Sequence, residues 1–81
     1  MPSLDTTDPL AQAIHSMLNQ YFMDLEGEQC HRLYEMVLTR VEKPLLDIIL
    51  QQAAGNQSRA AEMLGINRNT LRKKMQQHGF L

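Results

Sequence analysis

The chain has 81 residues, 43% of them hydrophobic and 21% charged, with a formal net charge of −1. That length holds one small domain with a modest core, and the single cysteine, Cys30, excludes an internal disulfide framework and fits a reducing compartment. No apolar run approaches the ~18 residues of a membrane span, and residues 1–7 lack the basic and apolar stretches of a secretory leader, so a soluble, cytoplasmic protein without a membrane partner is expected.

Residues 1–8 form a polar, unpatterned N-terminal segment that is expected to be mobile. Its last residue, Asp8, can cap a first helix, and Pro9 suits the first helical position because its missing N–H needs no partner there. Leu10, Ile14, Met17, Leu18, Tyr21, Phe22 and Leu25 then recur at helical spacing on one apolar face, which predicts helix A over residues 9–26, stopped by Gly27. A second pattern, helix B, opens near Cys30 and runs to Gly55, with Leu33, Met36, Val37, Leu38, Val41, Leu45, Leu46, Ile48, Ile49 and Leu50. Pro44 falls inside it and should kink one helix rather than separate two. Residues 45–50 are apolar nearly all round except for Asp47, so this half needs a partner to bury it. Two short helices follow. Asn56 can cap the first over residues 57–64, Gly65-Ile66-Asn67 make a tight turn, and Asn67 caps the second over residues 68–77 before Gly79. The fold class is all-α, with four helices.

The last two helices have the spacing of a helix-turn-helix. Ala60 and Ala61 are small where one helix must let the other pass closely, and Gly65 stands where the turn wants positive φ. Ile66 and Leu71 should fill the angle, with Met63, Leu64 and Met75 completing a small core. The residues left outside on the last helix are Arg68, Asn69, Arg72, Lys73 and Gln76, a face of donors and cations that fits a major groove. Charge points the same way. Up to residue 56 there are three cations against eight carboxylates, and beyond it five cations stand against Glu62 alone, an acidic body with a basic end suited to a polyanion. Arg68 at the helix tip can offer a bidentate fork to guanine, and Asn67 or Asn69 can reach adjacent base edges. Asn56, Ser58 and Arg59 lie where free helix N–H groups suit a phosphate, while Thr70, Arg72, Lys73 and Lys74 can neutralise flanking phosphates.

The run PLLDIILQQAAGNQSRAAEMLGINRNTLRKKMQQHG, with YEMVLTRVEKPLLD overlapping its start, resembles the Fis family (factor for inversion stimulation) of bacterial nucleoid-associated DNA-bending proteins, over about residues 9–81. The resemblance implies a homodimer in which helices A and B (residues 9–55) intertwine, leaving residues 56–81 as the DNA-binding unit. It implies two recognition helices closer together than successive major grooves of straight DNA, so that the duplex bends and its central minor groove is read by shape. It implies base contacts from Asn67 and Arg68, and backbone contacts from Asn56, Gln57, Ser58, Arg59, Thr70, Arg72 and Lys73. Partners would be double-stranded DNA and a second copy, with RNA polymerase a further candidate, in the nucleoid. Family members commonly carry a basic residue at the position of Ala54 and lysines at those of Gln76 and Gln77, so weaker binding with a shallower salt dependence is expected here. The better-known members also have an N-terminal β-hairpin arm that contacts a DNA invertase. Nothing ahead of residue 9 resembles it, so the resemblance leaves stimulation of inversion unsupported.

Three other classes fit the residues less well. The same tail in shorter form closes sigma-54-dependent activators of the NtrC type, but behind receiver and ATPase domains that have no counterpart in this sequence. An enzyme would have to use His15, His31, His78 or Cys30, which share no metal-ligand or nucleophile spacing, so no catalytic residue, metal or cofactor is expected. A helical protein-interaction module would leave the basic C-terminal face without a role; Met17, Met36, Met63 and Met75, like Tyr21 and Phe22, are expected in the core.

Overall fold

A computed structural model describes residues 8–81 as four helices: α1 (Pro9–Leu25), α2 (Leu33–Gln52), α3 (Gln57–Leu64) and α4 (Arg68–Gln77). The mobility expected of the N-terminal segment falls on residues 1–7, outside the described residues. Asp8 is ordered as expected of a cap, its carboxylate accepting the Ala11 N–H at 2.8 Å with Pro9 at the first helical position. The described residues form two compact units, one up to residue 31 and one over residues 32–81.

The first unit is α1. It stops one residue early, because Glu26 itself turns left-handed (φ 53°) ahead of Gly27 (φ 85°). Ile14, Met17, Leu18, Tyr21 and Leu25 are half-buried, but Leu10, Phe22 and Met23 are exposed, which corrects the expectation of Phe22 in a core. Its ring packs edge-on against Tyr21, centroids 5.7 Å apart.

The second unit carries the core. Leu46, Ala53, Ala60, Ala61, Leu71 and Met75 are buried, with Ile49, Leu50, Leu64, Ile66 and Phe80 packed around them. The helix α2 begins at Leu33, later than expected, because Arg32 adopts a left-handed conformation (φ 59°) and the chain from Cys30 to that point is not helical. It continues as one helix through Pro44, whose missing N–H leaves the Arg40 carbonyl without its intrahelical partner. Its end also differs from expectation. The Gly55 N–H returns to the Leu50 carbonyl and the Ala54 N–H to that of Gln51, each at 3.0 Å, which puts Ala54 rather than a glycine at the left-handed closing position (φ 53°). A left-handed non-glycine residue costs about 1–2 kcal/mol, against roughly 0.5–1 kcal/mol of extra unfolded-chain entropy for glycine. Ala54→Gly should therefore stabilise the chain by about 0.5–1 kcal/mol, read as a higher urea midpoint at unchanged slope; a lower midpoint would contradict it.

Both short helices close as glycine requires. Ile66 and Gly65 N–H groups bond the Ala61 and Glu62 carbonyls at 3.1 Å, with Gly65 at φ 74°, and Phe80 N–H bonds Met75 at 2.7 Å past Gly79 at φ 82°. The Gly65 closure lies between α3 and α4 and sets their angle, and Leu71, fully buried, fills it. Met63 does not join this core: it is 48% exposed, because Ala60, Ala61 and Leu64 already present the inward face of α3.

One apolar stripe remains on the surface of the second unit. Tyr34, Leu38, Leu45 and Ile48 are exposed, with Val41 half-buried among them, spaced four, three, four and three residues apart along α2. That spacing keeps all five on one face.

Candidate nucleic-acid interface

The caps that fold α3 and α4 also shape their leading ends. Asn56 Oδ1 accepts the Arg59 N–H at 3.1 Å, and Asn67 Oδ1 accepts the Asn69 N–H at 2.7 Å. Each asparagine spends its oxygen on the helix and turns its amide NH2 outward as a donor. At the start of α3 the N–H groups of Gln57 and Ser58 precede the first bonded turn and are available to an anion. Because Leu71 and Met75 take the inward side of α4, Arg68, Asn69, Thr70, Arg72, Lys73 and Gln76 all lie exposed. Among the described residues, neither Arg68 nor Lys73 is held in an ion pair.

The residues singled out from sequence divide by where they sit. Arg72 Nη1 donates to Gln57 Oε1 at 2.9 Å, which ties the two helices across their exposed edge and holds the guanidinium beside the start of α3. Asn56, Ser58 and Arg59 are exposed at that end of α3, and Asn67 and Arg68 at the tip of α4. Lys74, expected to neutralise a phosphate, is placed differently from the other cations. Its ammonium donates to Glu42 Oε2 on α2, pointing into the protein. His78 joins the same carboxylate, Nε2 lying 3.0 Å from Oε1, with its side chain only 4% exposed. Sequence reasoning considered His78 only among possible catalytic or metal-binding residues and did not single out Glu42. The available signal was that residues 74 and 78 share one helix face.

The Glu42 carboxyl is held below its ordinary value near 4.5, first by the hydrogen bond from Lys74 and then by that from His78; partial burial opposes both. A depressed carboxylate stabilises the fold above its unfolded pKa, and that contribution is lost as pH falls through the folded value. The stability gap between this chain and a Glu42→Gln variant should thus be full near neutral pH and vanish below 4.5. Urea midpoints across that acid range check it, and a gap that persists there would contradict it.

Two short helices joined by a left-handed glycine turn, the second presenting a cationic and amide face, define a helix-turn-helix protein. Residues 37–78 match the family model described as Bacterial regulatory protein, Fis family. A Fis-like DNA-binding protein of Neisseria meningitidis serogroup A is 54% identical over 76 residues, covering 94% of this chain and 96% of its own length. The DNA-binding protein Fis of Proteus mirabilis is 50% identical over 75 residues, covering 93% of this chain and 76% of its own length. The chain belongs to the Fis family of DNA-binding proteins. No helix among the described residues is long and apolar enough to cross a membrane.

Proposed function

We propose that this chain works as a homodimer that binds DNA with sequence preference, bends it, and acts in transcription regulation and nucleoid organisation. The observation that carries the reading is the exposed face of α4, composed of Arg68, Asn69, Arg72, Lys73 and Gln76 with no apolar side chain among them. Such a helix suits a major groove. In it Arg68 and Asn67 read base edges, while Asn56, Gln57, Ser58, Arg59, Thr70, Arg72 and Lys73 grip the sugar-phosphate backbone. The printed names of the relatives, DNA-binding proteins, favour the same ligand.

The apolar stripe on α2 supports the dimer. Leu38, Leu45 and Ile48, each about half exposed on one face, would each gain about 1 kcal/mol on burial of the remainder, and a second copy of the same helix offers a self-complementary surface. Two recognition helices fixed on one rigid body then impose their separation on the duplex, so bending follows wherever that separation differs from the groove repeat. A regulatory role of this kind brings RNA polymerase in as a partner beside the bound site. Ala54, Gln76 and Gln77 are exposed and uncharged, which favours a shallower salt dependence than a more basic surface would give.

The test is an anisotropy titration of the intact chain on a palindromic duplex with guanine and cytosine at its half-site ends and an A/T-rich centre, beside a scrambled duplex of equal length. Two chains bound per palindrome, and tighter binding than to the scrambled duplex, supports the reading. Equal affinity for both removes sequence preference, and absence of binding at low salt favours the protein-interaction module.

A further inference from the structure

Among the exposed cations of the basic end is one that is only half-exposed and paired. Lys74 and His78 lie one helical turn apart on α4 and converge on the single carboxylate of Glu42 from α2. Beside them Leu71 and Met75, also one turn apart, press the same side of α4 into the core. Apolar contact is non-directional and tolerates a helix rolling or tilting by several degrees. A carboxylate gripping two donors does not, because hydrogen bonds weaken steeply off their preferred geometry. The lever is long: Arg68 stands ten residues before His78, about 15 Å along the helix axis, so a tilt of ~10° at the clamped end moves the reading tip by ~2.6 Å. That exceeds the whole range of useful hydrogen-bond lengths.

We propose that Glu42 is a positioning residue for DNA binding: it fixes the roll and tilt of α4 through Lys74 and His78, and it withholds Lys74 from the phosphates. This inference rests on the DNA-binding reading of α4. Glu42 touches no DNA itself. It sets the angle at which Arg68 meets a base edge, and it lowers by one the number of phosphates that the basic face can neutralise.

The experiment measures affinity of the full chain for the palindromic and scrambled duplexes across a salt series, for the native chain and for Lys73→Met, Lys74→Met, Glu42→Gln and the double variant Glu42→Gln/Lys74→Met. Each phosphate contact contributes about 0.9 to the slope of log affinity against log salt. Lys73→Met should lower the slope by about 1.8, roughly 0.9 from each chain of the dimer, and Lys74→Met should leave it unchanged. Glu42→Gln should raise it by about 1.8 as the released lysine of each chain finds a phosphate, and the double variant should return it to the native value. In both variants that lack Glu42 the preference for the palindrome should fall about a hundredfold, the scale of one lost base contact in each half-site.

A lower slope in Lys74→Met would overturn the proposal, since Lys74 would then already sit on DNA. So would an unchanged slope or an unchanged preference in Glu42→Gln. If circular dichroism shows that the Glu42 variants do not fold, the slope of Lys74→Met decides alone. If Lys73→Met also leaves the slope unchanged, or nothing binds at low salt, the DNA-binding reading of this face falls first and the positioning role with it.

Discussion

Replacing Leu38 and Ile48 with glutamate should convert the protein from dimer to monomer and weaken its DNA binding by about 10²–10⁴-fold, the gain that joining two half-site contacts in one body supplies. Both residues lie on the exposed face of α2, and neither belongs to the buried core formed by Leu46, Ala53, Ala60, Ala61, Leu71 and Met75. The substitutions therefore load the cost onto the interface between copies. Two carboxylates per chain would have to be desolvated against their symmetry mates, and unpaired buried charge is strongly destabilising. Sedimentation of the variant gives its mass, and anisotropy on the palindromic duplex gives its affinity. A variant that remains a dimer, or that binds as tightly as the native chain, would place the pairing surface elsewhere.

Arg68→Ala should cost about 1–3 kcal/mol for each guanine it reads, and twice that for a dimer on a symmetric site, with the loss confined to one base pair in each half-site. The reason is geometric. Arg68 is the first residue of α4, exposed, and not held in an ion pair among the described residues, so its fork is presented at the end of the helix that enters the groove. Lys73 stands more than one turn further on, and Lys73→Ala should weaken all sequences about equally. Competition titrations against duplexes substituted singly at each half-site position separate the two patterns. Equal, sequence-blind losses from both variants would sink the assignment of Arg68 to a base.

The parts of this fold that were legible in the sequence are those fixed by local chemistry. Bounds of α3 and α4 follow from four residues, Asn56, Gly65, Asn67 and Gly79, each of which acts on its own neighbours through a cap or a left-handed turn. The continuity of α2 through Pro44 was likewise carried by the apolar pattern on either side of it. Boundaries went astray where a residue without special propensity took a left-handed conformation: Glu26, Arg32 and Ala54 all do so, and composition gives no sign of it. Met63 was misplaced because helical spacing marks a face without saying how wide the opposing surface is, and Ala60, Ala61 and Leu64 suffice to cover it.

The exposed face of α4 was legible by subtraction, once Leu71 and Met75 were assigned inward. The Glu42 clamp was not, because it depends on the crossing of α2 and α4, which brings together residues 32 and 36 positions apart. Charge counting treated Lys74 as one more phosphate ligand. Its contact with Glu42 joins α4 to α2 instead.

If two chains hold their recognition helices in one dimer, as proposed, the duplex should bend, and circularly permuted probes measure it. The palindromic site is moved along fragments of equal length, and each complex with the intact chain is run on a native gel. Mobility lowest with the site at the centre and highest with it at the ends is the expected result. Mobility independent of site position, in complexes that form with two chains per site, would mean that the duplex stays straight and that the two helices are not spaced as a bending dimer requires.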